Sequence, residues 1–281
     1  PLTGTTTYTF DSVPGANTCL TTSCLTRRSS ALTVNPLPQG SLTANGPFCV
    51  TGAGQLTFTA SAGTGPYTVV YNDGTANRTA SNVTSGTPFA VFTTPVTGTT
   101  TYTLVSVTGA NTCVRTTGFT GASAQIIVNP LPQGTLSAVS PLCGSGTGQL
   151  TFTSTAGTGP FTVVYTENGG TNRTATGVVS GSAFTPFTSP VTGTTNYVLV
   201  SVTDSNSCIR STGFTGSSAT ITVNPLPQGT LSAVSPLCGS GAGQLTFTST
   251  AGTGPYTIVY TENGGANRTA TGVVSGNAFT P

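Results

Sequence analysis

Asn129-Pro130-Leu131-Pro132-Gln133-Gly134 stands three times in this chain, also at Asn35–Gly40 and Asn224–Gly229, with spacings of 94 and 95 residues. Each copy follows a short apolar run, Leu32-Thr33-Val34, Ile126-Ile127-Val128 or Ile221-Thr222-Val223, and precedes a fresh one. Two prolines in four residues remove amide donors and hold the backbone extended. The stretch is therefore predicted to lie outside any sheet interior, as a short, stiff joint. A fixed period of this length marks an array of repeats.

Working outward from the joints divides the 281 residues into four pieces. These are the C-terminal part of a repeat (1–35), two whole repeats (36–129 and 130–224) and an N-terminal part (225–281). Pro1–Thr9 aligns with Pro190–Val198 and Pro281 with Pro186, so the chain reads as a window on a longer array. It opens on Pro1 without an initiator Met or a signal peptide, and reads as a mature fragment.

Within 130–224 the pattern predicts strands throughout. Thr135–Val139 is a first strand, and Gln149–Thr153 alternates apolar and polar residues at period two. Phe161, Val163 and Tyr165 share one face of the next strand, and Glu167-Asn168-Gly169-Gly170 is a tight-turn signal. Weaker strands are predicted near Arg173–Val179 and Ala183–Phe187. Thr195–Thr203 is the longest β run, and Ser218–Val223 closes the repeat. No segment carries a helical apolar stripe. The expectation is all-β, a tandem array of β-sandwich repeats of about 94–95 residues joined end to end.

Composition limits what such an array can do. Only 4% of residues are charged, and the seven cations are all arginine. Nucleic-acid binding needs clustered cations that this chain lacks. No apolar run approaches the roughly 20 residues of a membrane span, so no membrane insertion is expected of this segment. There is no histidine and no lysine to serve a Ser or Thr nucleophile as base. A repeat offers too few carboxylates for paired glycosidase acids or a calcium cage. No enzyme activity, cofactor or metal is expected. Copies 129–186 and 224–281 differ at five of 58 positions, each swap keeping its character. Such uniformity suits a function that scales with length or valency.

Cysteine is the strongest local signal. Each repeat has an early one (Cys49, Cys143, Cys238) and a late one (Cys19, Cys113, Cys208). Recurrence in register without a CxxC favours disulfides in an oxidising, extracellular setting. Two pairings stay open. Within repeats the bonds would be Cys49–Cys113 and Cys143–Cys208, each closing a long loop and contributing roughly 4 kcal/mol in the chain-entropy model. Across joints they would be Cys19–Cys49, Cys113–Cys143 and Cys208–Cys238. The first and last loops of a seven-stranded sandwich lie at opposite ends, which counts against the first pattern. Cys24 stands where the other copies have Gly118 and Gly213.

Asn77, Asn172 and Asn267 each open an Asn-Arg-Thr glycosylation pattern, which also fits a polar turn with an exposed arginine. Tyr71, Tyr165 and Tyr260 recur at one position and are candidates for a carbohydrate platform. A core or strand-end role is the other reading, and burial decides between them. Asp73, Glu167 and Glu262 are placed to pair with Arg78, Arg173 and Arg268.

The joint motif, with Cys143-Gly144, Thr194-Thr195-Asn196-Tyr197 and the run Val202–Cys208, resembles the immunoglobulin-like repeats of giant Bacteroidetes surface adhesins. These include the gliding-motility adhesins exported by type IX secretion. The resemblance covers essentially the whole chain. It implies immunoglobulin-like sandwiches in an extracellular, cell-surface stalk or filament for attachment or motility. Further copies of the repeat and surface polysaccharide are the partners it implies. Ser12, in Asp11-Ser12-Val13, resembles the O-glycosylation signal of that phylum. A pilus-like subunit that completes its sheet with a neighbour's strand is the third reading.

Overall fold

The computed structural model describes residues 4–10, 13–14, 20–21 and 29–281. The described residues form strands, turns and loops, with no helix. Two compact units emerge, Pro1–Pro130 and Leu131–Pro281, divided within the second copy of the joint motif.

In the second unit, residues 131–224 form two main sheets. Leu150–Ala156 lies between Gln133–Ala138 and Ala183–Phe184 in an antiparallel three-stranded sheet. The other sheet runs Asn172–Val178, Phe161–Glu167, Thr195–Thr203, Ile209–Arg210, with Ser218–Ile221 paired to the first half of Thr195–Thr203. The core draws on both: Leu136, Leu150 and Phe152 from one sheet meet Phe161, Val163, Tyr165, Tyr197, Leu199 and Val202 from the other. This is the arrangement of a β-sandwich. Period-two alternation explains it, since Phe161, Val163 and Tyr165 are buried while Thr162 and Val164 are not.

The first unit repeats this order in residues 39–129. Gln39–Ala44, Gln55–Ala62 and Pro88–Ala90 form one sheet, and Asn77–Val83, Tyr67–Asn72, Thr100–Thr108 and Val114–Arg115 the other, with Ser123–Ile126 on Thr100–Thr108. Ahead of it, Thr6–Thr9 pairs with Ser29–Leu32 in the register that Thr195–Val198 keeps with Ser218–Ile221. The third copy, within the second unit, forms the same three-stranded sheet from Gln228–Ala233, Leu245–Ala251 and Ala278–Phe279, beside the Tyr256–Thr261 and Asn267–Val273 hairpin.

The joint glycine has a packing reason. A Cβ on Gly134 would lie 2.4 Å from the Thr153 carbonyl and 2.7 Å from the Phe152 ring. Gly40 and Gly229 face Phe58 and Phe247 in the same way. Only the absence of a side chain lets the core phenylalanine lie across the backbone where the first strand begins.

Candidate functional site

The joint is where the repeats are most specifically built, and it differs from the free-standing linker that its prolines suggest. The pairing continues up to the prolines on one side and resumes directly after them. At the joint following 131–224, Val223-Asn224 forms a parallel pair with Leu142-Cys143. The amide of Leu142 donates to the Thr222 carbonyl at 2.8 Å, and that of Gly144 to Asn224 at 2.7 Å. Leu226 then lies on Gly144, where a Cβ would come within 2.9 Å of its Cγ. In the first unit Val128-Asn129 pairs with Phe48-Cys49 in the same way.

The rear half of the motif belongs to the repeat that follows. Pro38 and Pro132 are buried. Each packs on a loop glycine, Gly63 or Gly157, whose Cβ would meet the proline Cα at 2.8 Å. The Pro132 carbonyl accepts Nε of Arg210 at 2.6 Å, and the Pro38 carbonyl accepts Nε of Arg115 at 2.5 Å. A charged donor on a carbonyl makes a stronger bond than a neutral one. Gln133 adds a second tie, donating from Nε2 to the Gly213 carbonyl at 2.9 Å. Sequence reading missed this arginine. Its signal was available, since Arg115 and Arg210 each stand two residues after the late cysteine.

Cys49 and Cys208 are disulfide-bonded. Cys113, Cys143 and Cys238 carry free thiols. These free thiols correct the within-repeat pairing and two of the three cross-joint bonds. Cys49–Cys113 and Cys143–Cys208 do not form, and neither do Cys113–Cys143 and Cys208–Cys238. Cys19–Cys49 involves a residue outside the described ones, as do Cys24 and Ser12. The reason is positional. In the first unit the early Cys49 lies opposite Asn129, at the end of the repeat. The late Cys113 has its Sγ 3.9 Å from the Asn35 carbonyl, at the beginning. A whole sandwich separates the two.

The tyrosine platform is also corrected. Tyr71 and Tyr165 are 2% and 1% exposed, so neither offers a face to a sugar. Each hydroxyl instead accepts a backbone amide, from Phe92 at 3.0 Å and Phe187 at 2.9 Å. Burial pushes both phenols above the ordinary tyrosine range. Tyr260 is half-buried. Exposed aromatics occur where sequence reading named none: Phe92 and Phe187 stand open to solvent, each under a guanidinium, Arg78 or Arg173, centred 3.9 Å from the ring. The three glycosylation asparagines are exposed at the first residue of their strands. The acid–arginine pairs form at 2.7 Å for Asp73–Arg78 and Glu262–Arg268, and at 3.7 Å for Glu167–Arg173. Of the three, Glu262–Arg268 is the exposed pair, and such a pair contributes at most about 1 kcal/mol.

No protein-family model matches the chain, and no curated protein is significantly similar to it. Among the described residues no cluster of His, Cys, Asp and Glu could hold a metal ion, and no helix is long and apolar enough to cross a membrane. The joint remains the most elaborated feature of the molecule.

Proposed function

We propose that this chain is a structural and adhesive segment of an extracellular filament or stalk, made of immunoglobulin-like repeats in series and free of catalysis. The observation that carries the reading is the joint after residue 224. Its front half is paired to Leu142-Cys143 of the preceding repeat, and its rear proline packs on Gly252 of the following one. A chain pulled from its ends therefore loads paired strands and packed prolines on both sides. Repetition sets reach and valency. The nearly uncharged, Thr-rich surface and the bonded Cys49 and Cys208 support an extracellular place. The resemblance to Bacteroidetes surface adhesins supports attachment or motility as its use, with neighbouring repeats and surface polysaccharide as partners.

Single-molecule extension under reducing conditions tests this. Each complete repeat should resist and then yield in one step that releases about the contour of 94–95 residues. Smooth extension at low force, without steps, would refute a mechanical role.

A second reading, carbohydrate binding, has one observation in its favour. Exposed Phe92 borders a small open cleft of about 180 Å³ that is also lined by Asp73, Thr75, Thr93 and Tyr102. An aromatic face beside hydroxyls and a carboxylate suits a sugar. Binding on a glycan array that vanishes in the Phe92→Ala, Phe187→Ala double variant would favour this reading over the purely mechanical one.

A further inference from the structure

We infer that each complete repeat carries its tension in one strip of parallel backbone hydrogen bonds, which ties the segment entering the sandwich to the segment leaving it. This inference rests on the mechanical reading above and names the bonds that set the force at which a repeat yields.

The strip lies inside a single repeat and recurs in both units. In 131–224 the amides of Leu136, Leu142 and Gly144 donate to the carbonyls of Gly216, Thr222 and Asn224 at 2.9, 2.8 and 2.7 Å. In 39–129 the amides of Leu42, Phe48 and Val50 donate to Gly121, Ile127 and Asn129 at 2.9, 2.9 and 2.8 Å. Each acceptor follows its donor by 80 residues in the second repeat and by 79 in the first. The three bonds therefore belong to one continuous alignment. It is parallel wherever it is bridged, at Thr135–Gly216, Leu142–Val223 and Cys143–Asn224, and at the same places in the first repeat. Strand pairs within the two main sheets of 131–224 are antiparallel. Arg210 on the Pro132 carbonyl and Gln133 on that of Gly213 continue the strip back to the joint prolines.

Polarity decides how tension acts on such a strip. The chain comes to Leu136 from the joint motif before it and runs from Asn224 into the joint motif after it. Where two bonded segments point the same way, those two ends leave the strip in opposite directions. Pulling then slides one segment along the other and strains all the hydrogen bonds together. A hairpin pulled at its two free ends opens one bond at a time. While the strip holds, residues 145–215 form a loop that tension bypasses, so the core strands carry none.

The strip owes little to the core. Leu142 is half-buried, Cys143 is exposed, and the Ser140 hydroxyl that accepts the Thr222 amide at 2.8 Å lies between two exposed residues. Forced unfolding follows the barrier to unfolding and not the equilibrium stability. These few bonds should therefore weigh more under load than in a denaturation curve.

The test extends the full chain one molecule at a time under reducing conditions, with the denaturation midpoint of each variant measured alongside. Leu142→Pro removes the donor in the middle of the strip. Leu142→Ala trims the same side chain and keeps the amide. Both give up the contact of Leu142 with the core, so both should lower the midpoint. Leu142→Pro alone should lose one of the two high-force steps, while the step of 39–129 stays. Ser140→Ala leaves the backbone and the core intact, and should shift the same step to lower force at an unchanged midpoint. Equal forces in Leu142→Pro and Leu142→Ala, or a step that does not move in Ser140→Ala, would overturn the strip. In that case the steps themselves would still support a mechanical role. A parent chain that extends without steps would sink the mechanical reading and this inference together.

Discussion

The two complete repeats share a strand order and a core, yet they use their few carboxylates in opposite ways. Residues 36–129 are one residue shorter than 130–224, and the difference falls in the hairpin turn after Tyr71 and Tyr165. In the short turn Asp73 folds back on itself. Its Oδ1 accepts the Thr75 and Ala76 amides at 2.9 and 2.8 Å and the Thr75 hydroxyl at 2.6 Å, while Oδ2 accepts Arg78 Nε at 2.7 Å. In the longer turn Glu167 reaches away. Its two oxygens take the amide and the hydroxyl of Thr188 at 3.0 and 2.5 Å. Asn168, at φ 50°, holds that turn by exchanging hydrogen bonds with Asn196. One methylene and one inserted residue convert a turn-closing acid into a cross-link between loops. The late loop differs as well: Asp204 is buried in the second repeat where the first has Gly109.

The largest expected effect probes what the repeats share. Phe58 and Phe152 are fully buried, each in edge-to-face contact with the next strand's aromatic, Tyr67 or Phe161. Truncating either to Ala should cost about 3–5 kcal/mol. Hydrogen exchange read repeat by repeat should show Phe152→Ala loosening 131–224 while 39–129 keeps its protection. Equal loss in both would mean that the repeats do not fold as separate units.

Next comes the late loop. The Asp204 carboxylate accepts the amides of Asn206, Cys208 and Thr158 at 3.0, 2.9 and 3.1 Å. Asp204→Ala leaves these donors unpaired and should destabilise the second repeat by about 1–3 kcal/mol. The reverse change, Gly109→Asp, should not transfer the benefit. A Cβ there would lie 2.9 Å from the Thr64 carbonyl, so the loop would have to move first. Denaturation midpoints of the two variants measure this asymmetry directly.

Asp73 sharpens the comparison through pH. Hydrogen bonds from the Thr75 hydroxyl, Arg78 and the Ala76 amide hold its carboxyl well below the ordinary carboxylate range. A folded-state pKa below the unfolded value of about 3.9 contributes stability above that pH, and the contribution fades as pH falls toward the folded value. Asp73→Asn should therefore weaken the first repeat at neutral pH, and the gap from the parent should narrow below about pH 4. A gap unchanged in acid would show that the turn depends on shape and not on charge.

Much of the fold was legible because its signals are local. Phe161, Val163 and Tyr165 alternate with polar neighbours, and Glu167-Asn168-Gly169-Gly170 can hardly be anything but a turn. The strand Thr195–Thr203 begins and ends as its pattern predicts. The joint was legible as a position and not as a structure. Two prolines announce a break in pairing, but nothing local says that Asn224 pairs with Cys143 from 81 residues earlier. The disulfide pattern was hidden for the same reason. It depends on which end of the sandwich a loop occupies, a property of topology that spacing along the chain does not encode. Tyr165 illustrates a third kind of blindness, since a recurring tyrosine looks the same in sequence whether it faces a ligand or the core.

The smallest effect separates two tyrosines that touch. Tyr165 and Tyr197 have ring centroids 6.1 Å apart and are almost equally buried. The Tyr165 hydroxyl accepts the Phe187 amide, so Tyr165→Phe should cost about 1 kcal/mol. The Tyr197 hydroxyl has no hydrogen-bond partner. Tyr197→Phe removes an unpaired buried polar group and should leave stability unchanged or slightly raised. The same phenol is pushed up to about 12 by burial and by the nearby Glu167 charge. Because the folded-state pKa lies above the unfolded value of about 10, its contribution is intact below pH 10 and is lost as pH rises toward 12. Tyr71, Tyr102 and Tyr165 are also raised, so ultraviolet titration should show several late-ionising tyrosines, of which the component near pH 12 is lost in Tyr197→Phe and kept in Tyr165→Phe. If both variants lose about 1 kcal/mol, Tyr197 has found a partner, and the contrast between a bonded and an unbonded hydroxyl in one core fails.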